Sequence, residues 1–256
     1  MKKVAFNVFK IRLQFFVKKI LIRPVFISFL VFIFSSIIVI GFTRFKYGYD
    51  EDFLKSVFIE AHGMLFDILI IGVVIFSLHK LIEKKHEIKR YQEEIDDFRN
   101  WDSDEAKFRI VGNIKRLNRM FVTRINLNNC ILHNAQLEDA ALREANLESV
   151  ILDEASLKGV DFSWANLRHA EFNKANLLGA DFKYSNLYRA FFREADLTYA
   201  EFDRANMQGA QLQSAIIEYE QLSKAKTLYE AGLDSNIREE IEKKYPHLLK
   251  KPKEAE

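Results

Sequence analysis

Residues 135–214 read, in groups of five, AQLED AALRE ANLES VILDE ASLKG VDFSW ANLRH AEFNK ANLLG ADFKY SNLYR AFFRE ADLTY AEFDR ANMQG AQLQS. A large apolar residue stands at the centre of each group (Leu137, Leu147, Phe162, Leu177, Phe192, Leu212). Two places earlier comes a small one, most often alanine (Ala135, Ala145, Ala165, Ala175). The rhythm extends from Ile125 to Lys224, which leaves room for twenty units in 100 residues.

A period of five excludes a long helix, because five residues advance about 140° beyond a full turn and the apolar positions would spiral round every face. It also excludes a continuous strand, where an odd repeat turns every second leucine to water. A short extended piece followed by a corner after every five residues satisfies the pattern, and this is a solenoid whose coils cover one another. Phenylalanine recurs every ten residues (Phe162, Phe172, Phe182, Phe192, Phe202) and asparagine every twenty (Asn126, Asn146, Asn166, Asn186, Asn206). Four units per coil therefore stack the asparagines into one external ladder. The phenylalanines then stack inside on two opposite faces, with leucine on the other two. Five coils at the spacing of paired strands make a rod about 24 Å long.

The A-[DN]-L-x-x pattern of ANLES, ANLRH, ANLLG and ADLTY resembles the pentapeptide-repeat proteins. The resemblance covers about 100 of the 256 residues. It implies a right-handed quadrilateral β-helix, an all-β solenoid of about five coils over 125–224. It implies no shared catalytic residue.

Outside the repeat the charge is uneven. Residues 1–124 carry 22 Lys+Arg against 14 Asp+Glu, a net of +8, and the repeat carries 9 against 15, a net of −6. The single cysteine, Cys130, excludes an internal disulfide and holds the small inward position of its unit. Residues 1–23 are basic, with Phe6, Phe9, Leu13, Phe16 and Ile20 at helical spacing. They read either as an amphipathic helix on an anionic membrane surface or as the cytoplasmic flank of the next segment.

Residues 24–42 hold no charge over nineteen positions, enough to cross a bilayer, and a second apolar run covers 61–82. A cleaved signal peptide does not fit, because the basic region and the apolar run are both too long and no small-x-small site comes after them. The connection 43–60 is polar. Lys and Arg number seven before the first run, three in the connection and five from Lys80 to Arg90. The expectation is a two-helix transmembrane hairpin in the inner membrane, with both termini and the β-helix in the cytoplasm.

Asp67 lies within the second run, Glu60 two turns earlier on the same face, and His62 nearby. They form either an intramembrane polar site or, if the span starts near Met64, a cluster at headgroup level. The charged helical linker 83–101 carries a heptad stripe of Leu81, Ile88 and Ile95, with Tyr91 and Phe98 at the companion position. That stripe reads either as a homo-oligomer contact or as packing within the chain.

In 102–124, Asp102 and Glu105 resemble a capping box ahead of a helix whose stripe (Ala106, Ile110, Ile114, Leu117, Phe121) suits the open end of the first coil. Its basic face (Lys115, Arg116, Arg119, Arg124) is open to solvent, lipid or nucleic acid. Residues 225–256 form a C-terminal cap and tail, with a helix starting at Asp234 or Ser235 and stopped by Pro246. The cap also resembles the terminal segment of other pentapeptide-repeat proteins.

No cysteine cluster, glycine-rich phosphate loop or nucleophile motif is present, so neither a metal nor a cofactor is expected, and the chain reads as a non-enzyme. The candidate partner surface lies on the repeat. Ile131, Ile151 and Phe191 stand one place before the centre on one face, where Glu171 interrupts them. Trp164 and Tyr184, and Tyr199 and Tyr219, fall on neighbouring coils elsewhere. These are either cross-strand stacks or a stripe for a protein partner. The reading is a membrane-anchored protein-interaction scaffold. The alternatives are an oligomeric pore-forming or membrane-disrupting effector triggered through the β-helix, and a DNA-mimicking topoisomerase-binding protein. Nucleic acid is not an expected partner, since −6 over twenty units is a thin imitation of duplex charge.

Overall fold

A chain that turns every five residues needs a residue able to turn it, and the fifth of each unit does so. In the computed structural model these residues take φ between +54° and +70°, from Asn129 to Ser214, and three of them are glycine (Gly159, Gly179, Gly209). The amide of the following small residue donates back across the corner, as in Cys130 N to Leu127 O at 3.1 Å. The structure describes residues 51–252 and, before them, residues 30, 33, 34, 36–38, 40–42, 44 and 45. The side chains of residues 51, 54, 58, 61, 62, 65 and 69 are outside that description.

The chain divides into two units, residues 1–85 and 86–256, with the division inside a single helix, α1 (Glu51–Asp97). In the first unit the described residues before Glu51 are helical. Helix α1 already covers residues 51–60, which sequence assigns to a polar connection. Its described apolar side chains Met64, Phe66, Ile70, Val74, Leu78 and Ile82 are exposed and occur on every side of the helix. Among the described residues no helix is long and apolar enough to cross a membrane. The basic segment 1–23 lies outside the described residues, as does most of the expected span 24–42.

In the second unit one residue per repeat forms a parallel β-bridge with the residue twenty further on: Asn126 with Asn146, Ile131 with Ile151, Gln136 with Ser156, Ala141 with Asp161. Four units therefore make one coil. The pairing consists of single bridges rather than extended strands, each held by two backbone bonds, such as Leu127 N to Asn146 O (2.7 Å) and Asn146 N to Ile125 O (3.0 Å).

The central residues fill the interior, fully buried from Leu127 to Leu212. Phe162, Phe182 and Phe202 stack on one face at 5.2 and 5.3 Å between ring centroids, and Phe172 and Phe192 on the opposite face at 5.1 Å. The two columns meet edge to face at 5.7–6.0 Å, the geometry that aromatic quadrupoles favour. Outside, the asparagine ladder forms rungs from Asn146 to Asn126 (3.1 Å), Asn166 to Asn146 (3.0 Å) and Asn206 to Asn186 (3.0 Å). It breaks in the middle, where buried Asn166 Oδ1 has no hydrogen-bond partner.

Helix α2 (Asp104–Arg119) closes the first coil. Its N-cap is Ser103, whose hydroxyl accepts from Ala106 N at 3.2 Å, and not the Asp102 expected from sequence. Ala106, Ile110, Ile114 and Leu117 face the core, but Phe121, assigned to the same stripe, is exposed. The first-coil backbone at Ala141 has no coil before it. Asn118 substitutes for one, with Oδ1 accepting from Ala141 N (2.9 Å) and Nδ2 donating to Ala141 O (2.8 Å). Both backbone groups at an otherwise open edge are satisfied by one side chain.

The far end departs from sequence expectation. Regular bridging runs to Ile216, after which the short helix α3 (Tyr219–Leu222) intervenes. The next bridges join Asn206 to Thr227 and Gln211 to Gly232, twenty-one residues apart. One extra residue has been absorbed, and coil structure continues past Lys224 to Gly232. Helix α4 (Ser235–Lys244) comes next, with Asp234 as its N-cap, then a 3-10 turn (Pro246–Leu249). Ile237, Ile241 and Leu248 cover the last coil, and Leu228 N donates to Leu248 O at 2.8 Å.

Candidate functional site

The four faces separate residues that sequence placed in one set. Ile131, Ile151, Glu171, Phe191 and Gln211 are bridged in succession along one face and are all half-buried. Trp164 and Tyr184 occupy turn positions on consecutive coils, at the corner that ends the opposite face. The two groups cannot form one patch. On the apolar row, burial of the Glu171 carboxyl and then the charge of Asp153 push its pKa up.

At the other corner the Trp164 and Tyr184 rings are parallel, 4.3 Å apart at 6°. Arg204 continues the column with its guanidinium 5.7 Å from the Tyr184 ring. Trp164 is 52% exposed and Tyr184 40%. Both sit at positive φ, +62° and +58°, where a side chain with a Cβ is strained by about 1 kcal/mol or more. The floor of that face is acidic. Asp161, Asp181 and Glu201 succeed one another along the bridges, and Lys183 pairs with Asp181 and Glu201. The Glu201 carboxylate raises the Lys183 pKa.

Tyr199 and Tyr219 do not stack. Tyr199 is exposed at a turn, whereas Tyr219 begins α3, packs on the core and lies under Lys244, whose Nζ donates to its hydroxyl at 2.5 Å. The irregular last coil removes Tyr219 from the column that a strict period would give it.

Within the chain the heptad stripe packs against the rod. Ile95 is fully buried, and Ile88, Tyr91 and Phe98 pack against the same core as the rod. Glu94 pairs with Arg109 of α2 at 3.1 Å. Of the stripe, only Leu81 is exposed. Glu60 and Asp67 are exposed on α1, and the His62 side chain lies outside the described residues. Burial pushes the Cys130 thiol up to about 11, which leaves it protonated and inert. Among the described residues no group of histidine, cysteine and carboxylate side chains is placed to hold a metal.

Residues 123–159, 161–198 and 175–213 match the family model for pentapeptide repeats, in eight copies. This stretch is a pentapeptide-repeat domain, and such domains fold as right-handed quadrilateral β-helices. Similar solved structures include HetL, a pentapeptide-repeat protein involved in heterocyst differentiation regulation in the cyanobacterium Nostoc sp. strain PCC 7120. It is 30% identical over 47% of this chain and 45% of HetL, with a TM-score of 0.37. Rfr23 of the cyanobacterium Cyanothece 51142 is 27% identical over 44% of this chain and 63% of its own, TM-score 0.24. A pentapeptide-repeat protein of the Arabidopsis thaliana thylakoid lumen is 23% identical over 46% of this chain and 71% of its own, TM-score 0.24. The chain thus spans less than two thirds of the length of HetL and of Rfr23. Comparison with curated proteins gives no match. No enzyme family is evident among the matches.

Proposed function

We propose that this chain is a non-enzymatic, membrane-anchored scaffold whose cytoplasmic β-helix binds a protein partner. The observation that carries the scaffold reading is the Trp164–Tyr184 pair, which keeps two large rings parallel and exposed on consecutive coils. Large exposed aromatic side chains are enriched at protein-binding surfaces. The partially covered row of Ile131, Ile151 and Phe191 is the second place for a contact. The anchor is supported by the apolar side chains of α1 such as Phe66, Ile70, Val74, Leu78 and Ile82, which are exposed on several sides, as on a helix whose surroundings are lipid. Residues 24–42 supply the other arm of the hairpin, and the seven-three-five distribution of basic residues puts both termini in the cytoplasm.

Photo-crosslinking from single positions in cells tests the scaffold. A crosslinker placed at Trp164 gives one discrete protein adduct, and one at exposed Lys158, on a different face, gives none. Equal adducts from both positions, or none from either, contradict a sided partner surface. A pore is the second reading, favoured by exposed Glu60 and Asp67 seven residues apart on α1. Depolarisation of cells by the parent chain, lost in Asp67→Asn, would replace the scaffold by the pore.

A further inference from the structure

The outer face of the N-terminal cap carries groups that neither the rod nor its partner surface uses. On α2 the buried residues Ala106, Ile110, Ile114 and Leu117 define one side. At 100° per residue, Phe108, Lys115 and Arg119 fall on the opposite side. Phe108 is 81% exposed. Phe121 comes just after the helix end at φ +62°, the left-handed position that usually takes glycine, and it is 92% exposed. Lys107 and Arg109 are paired with Asp104, Glu94 and Glu105, and Arg124 with Glu144. Lys115 and Arg119 are exposed and, among the described residues, make no ion pair. The outer side of the cap helix thus carries exposed Phe108, Lys115 and Arg119, with exposed Phe121 just past the helix end, on a domain whose repeat has a net charge of −6.

We infer that this face docks on anionic lipid headgroups, holding the end of the rod against the membrane surface. The inference rests on the proposed membrane anchor. Its chemistry is that of an interfacial helix: phenylalanine side chains enter the headgroup boundary while Lys and Arg meet lipid phosphates. A phenylalanine at a left-handed helix terminus costs stability within the protein, and an exposed ring there has no intramolecular contact to offset it. Insertion at an interface supplies that contact. Nucleic acid fits less well, because Phe108 stands on an open helix face and Phe121 at its exposed end, rather than in a basic groove that tracks a backbone.

The test uses the full chain reconstituted in vesicles, with Trp101→Phe, Trp164→Phe and Phe108→Trp combined, so that the only indole lies on the proposed face. Vesicles of phosphatidylcholine alone are compared with vesicles also containing phosphatidylglycerol, each with brominated acyl chains as quencher. Flotation with neutral vesicles reports the anchor independently. The expected result is flotation with both compositions and indole quenching only in the anionic one. Replacing Lys115→Gln and Arg119→Gln together lowers the docked-to-undocked ratio about thirtyfold, for two surface cations. A chain that retains Trp164 alone, with Trp101→Phe, stays unquenched in both. Flotation with no quenching, or with equal quenching in both compositions, overturns the docking and leaves the anchor standing. Failure to float in either overturns both. An indole response to added duplex DNA but not to anionic vesicles overturns the lipid assignment in favour of nucleic acid.

Discussion

Leu177→Asp leaves the chain without a cooperatively folded rod. Leu177 is fully buried at the centre of its unit, in the interior column that also holds Leu157 and Leu197. The substitution removes a leucine whose burial contributes about 2 kcal/mol. It places a carboxyl where no donor waits, at a further cost of several kcal/mol whether the group ionises or stays protonated. Against a total stability of about 5–15 kcal/mol, that is enough to unfold the domain. Circular dichroism melting of purified chain shows the loss directly. A transition at the parental temperature would mean that the centre residues do not point inward.

Phe182→Ala, with a smaller effect, destabilises the rod by about 3–5 kcal/mol and lowers its melting temperature by about 10 °C. Phe182 is the middle ring of its column, stacked on Phe162 and Phe202 and edge-on to Phe172 and Phe192. Truncation opens a cavity between coils that backbone bridges hold at fixed spacing, so collapse recovers little. Phe182→Leu costs only about 1 kcal/mol, because the adjoining faces already carry leucine at the equivalent position. Equal losses for the two variants would show that ring stacking, and not volume, sets the cost.

The regular part of the fold is legible in the sequence because each of its rules repeats. The twenty-residue spacing from Asn126 to Asn206 is the bridge register, and the ten-residue phenylalanine rhythm is the pair of interior columns. The end of the rod is misjudged when the period is carried through Leu222, which is buried as the period requires. The signal for the slip is present, since Leu222 and Leu228 are six residues apart and Leu228 and Leu233 five.

The heptad from Leu81 to Ile95 carries less information. Its spacing is the same whether the stripe meets another chain or its own cap, and buried Ile95 belongs to the cap. The partner surface is half legible. Stacking of Trp164 on Tyr184 is a consequence of their twenty-residue separation. Their opposition to the Ile131–Ile151–Phe191 row requires counting faces round the coil. The left-handed turn at their positions recurs along the rod on residues of many types, from Asn129 and Glu144 to Lys174 and Gly209, so it does not single them out.

Both the scaffold and the docked cap depend on the chain being held in the bilayer, and alkaline carbonate extraction of membranes from cells making the full chain measures that most directly. The account predicts that the chain stays with the membrane pellet through carbonate and is released by detergent. Recovery of the intact chain in the carbonate supernatant would contradict it, leaving the exposed apolar side chains of α1 to be covered by protein instead.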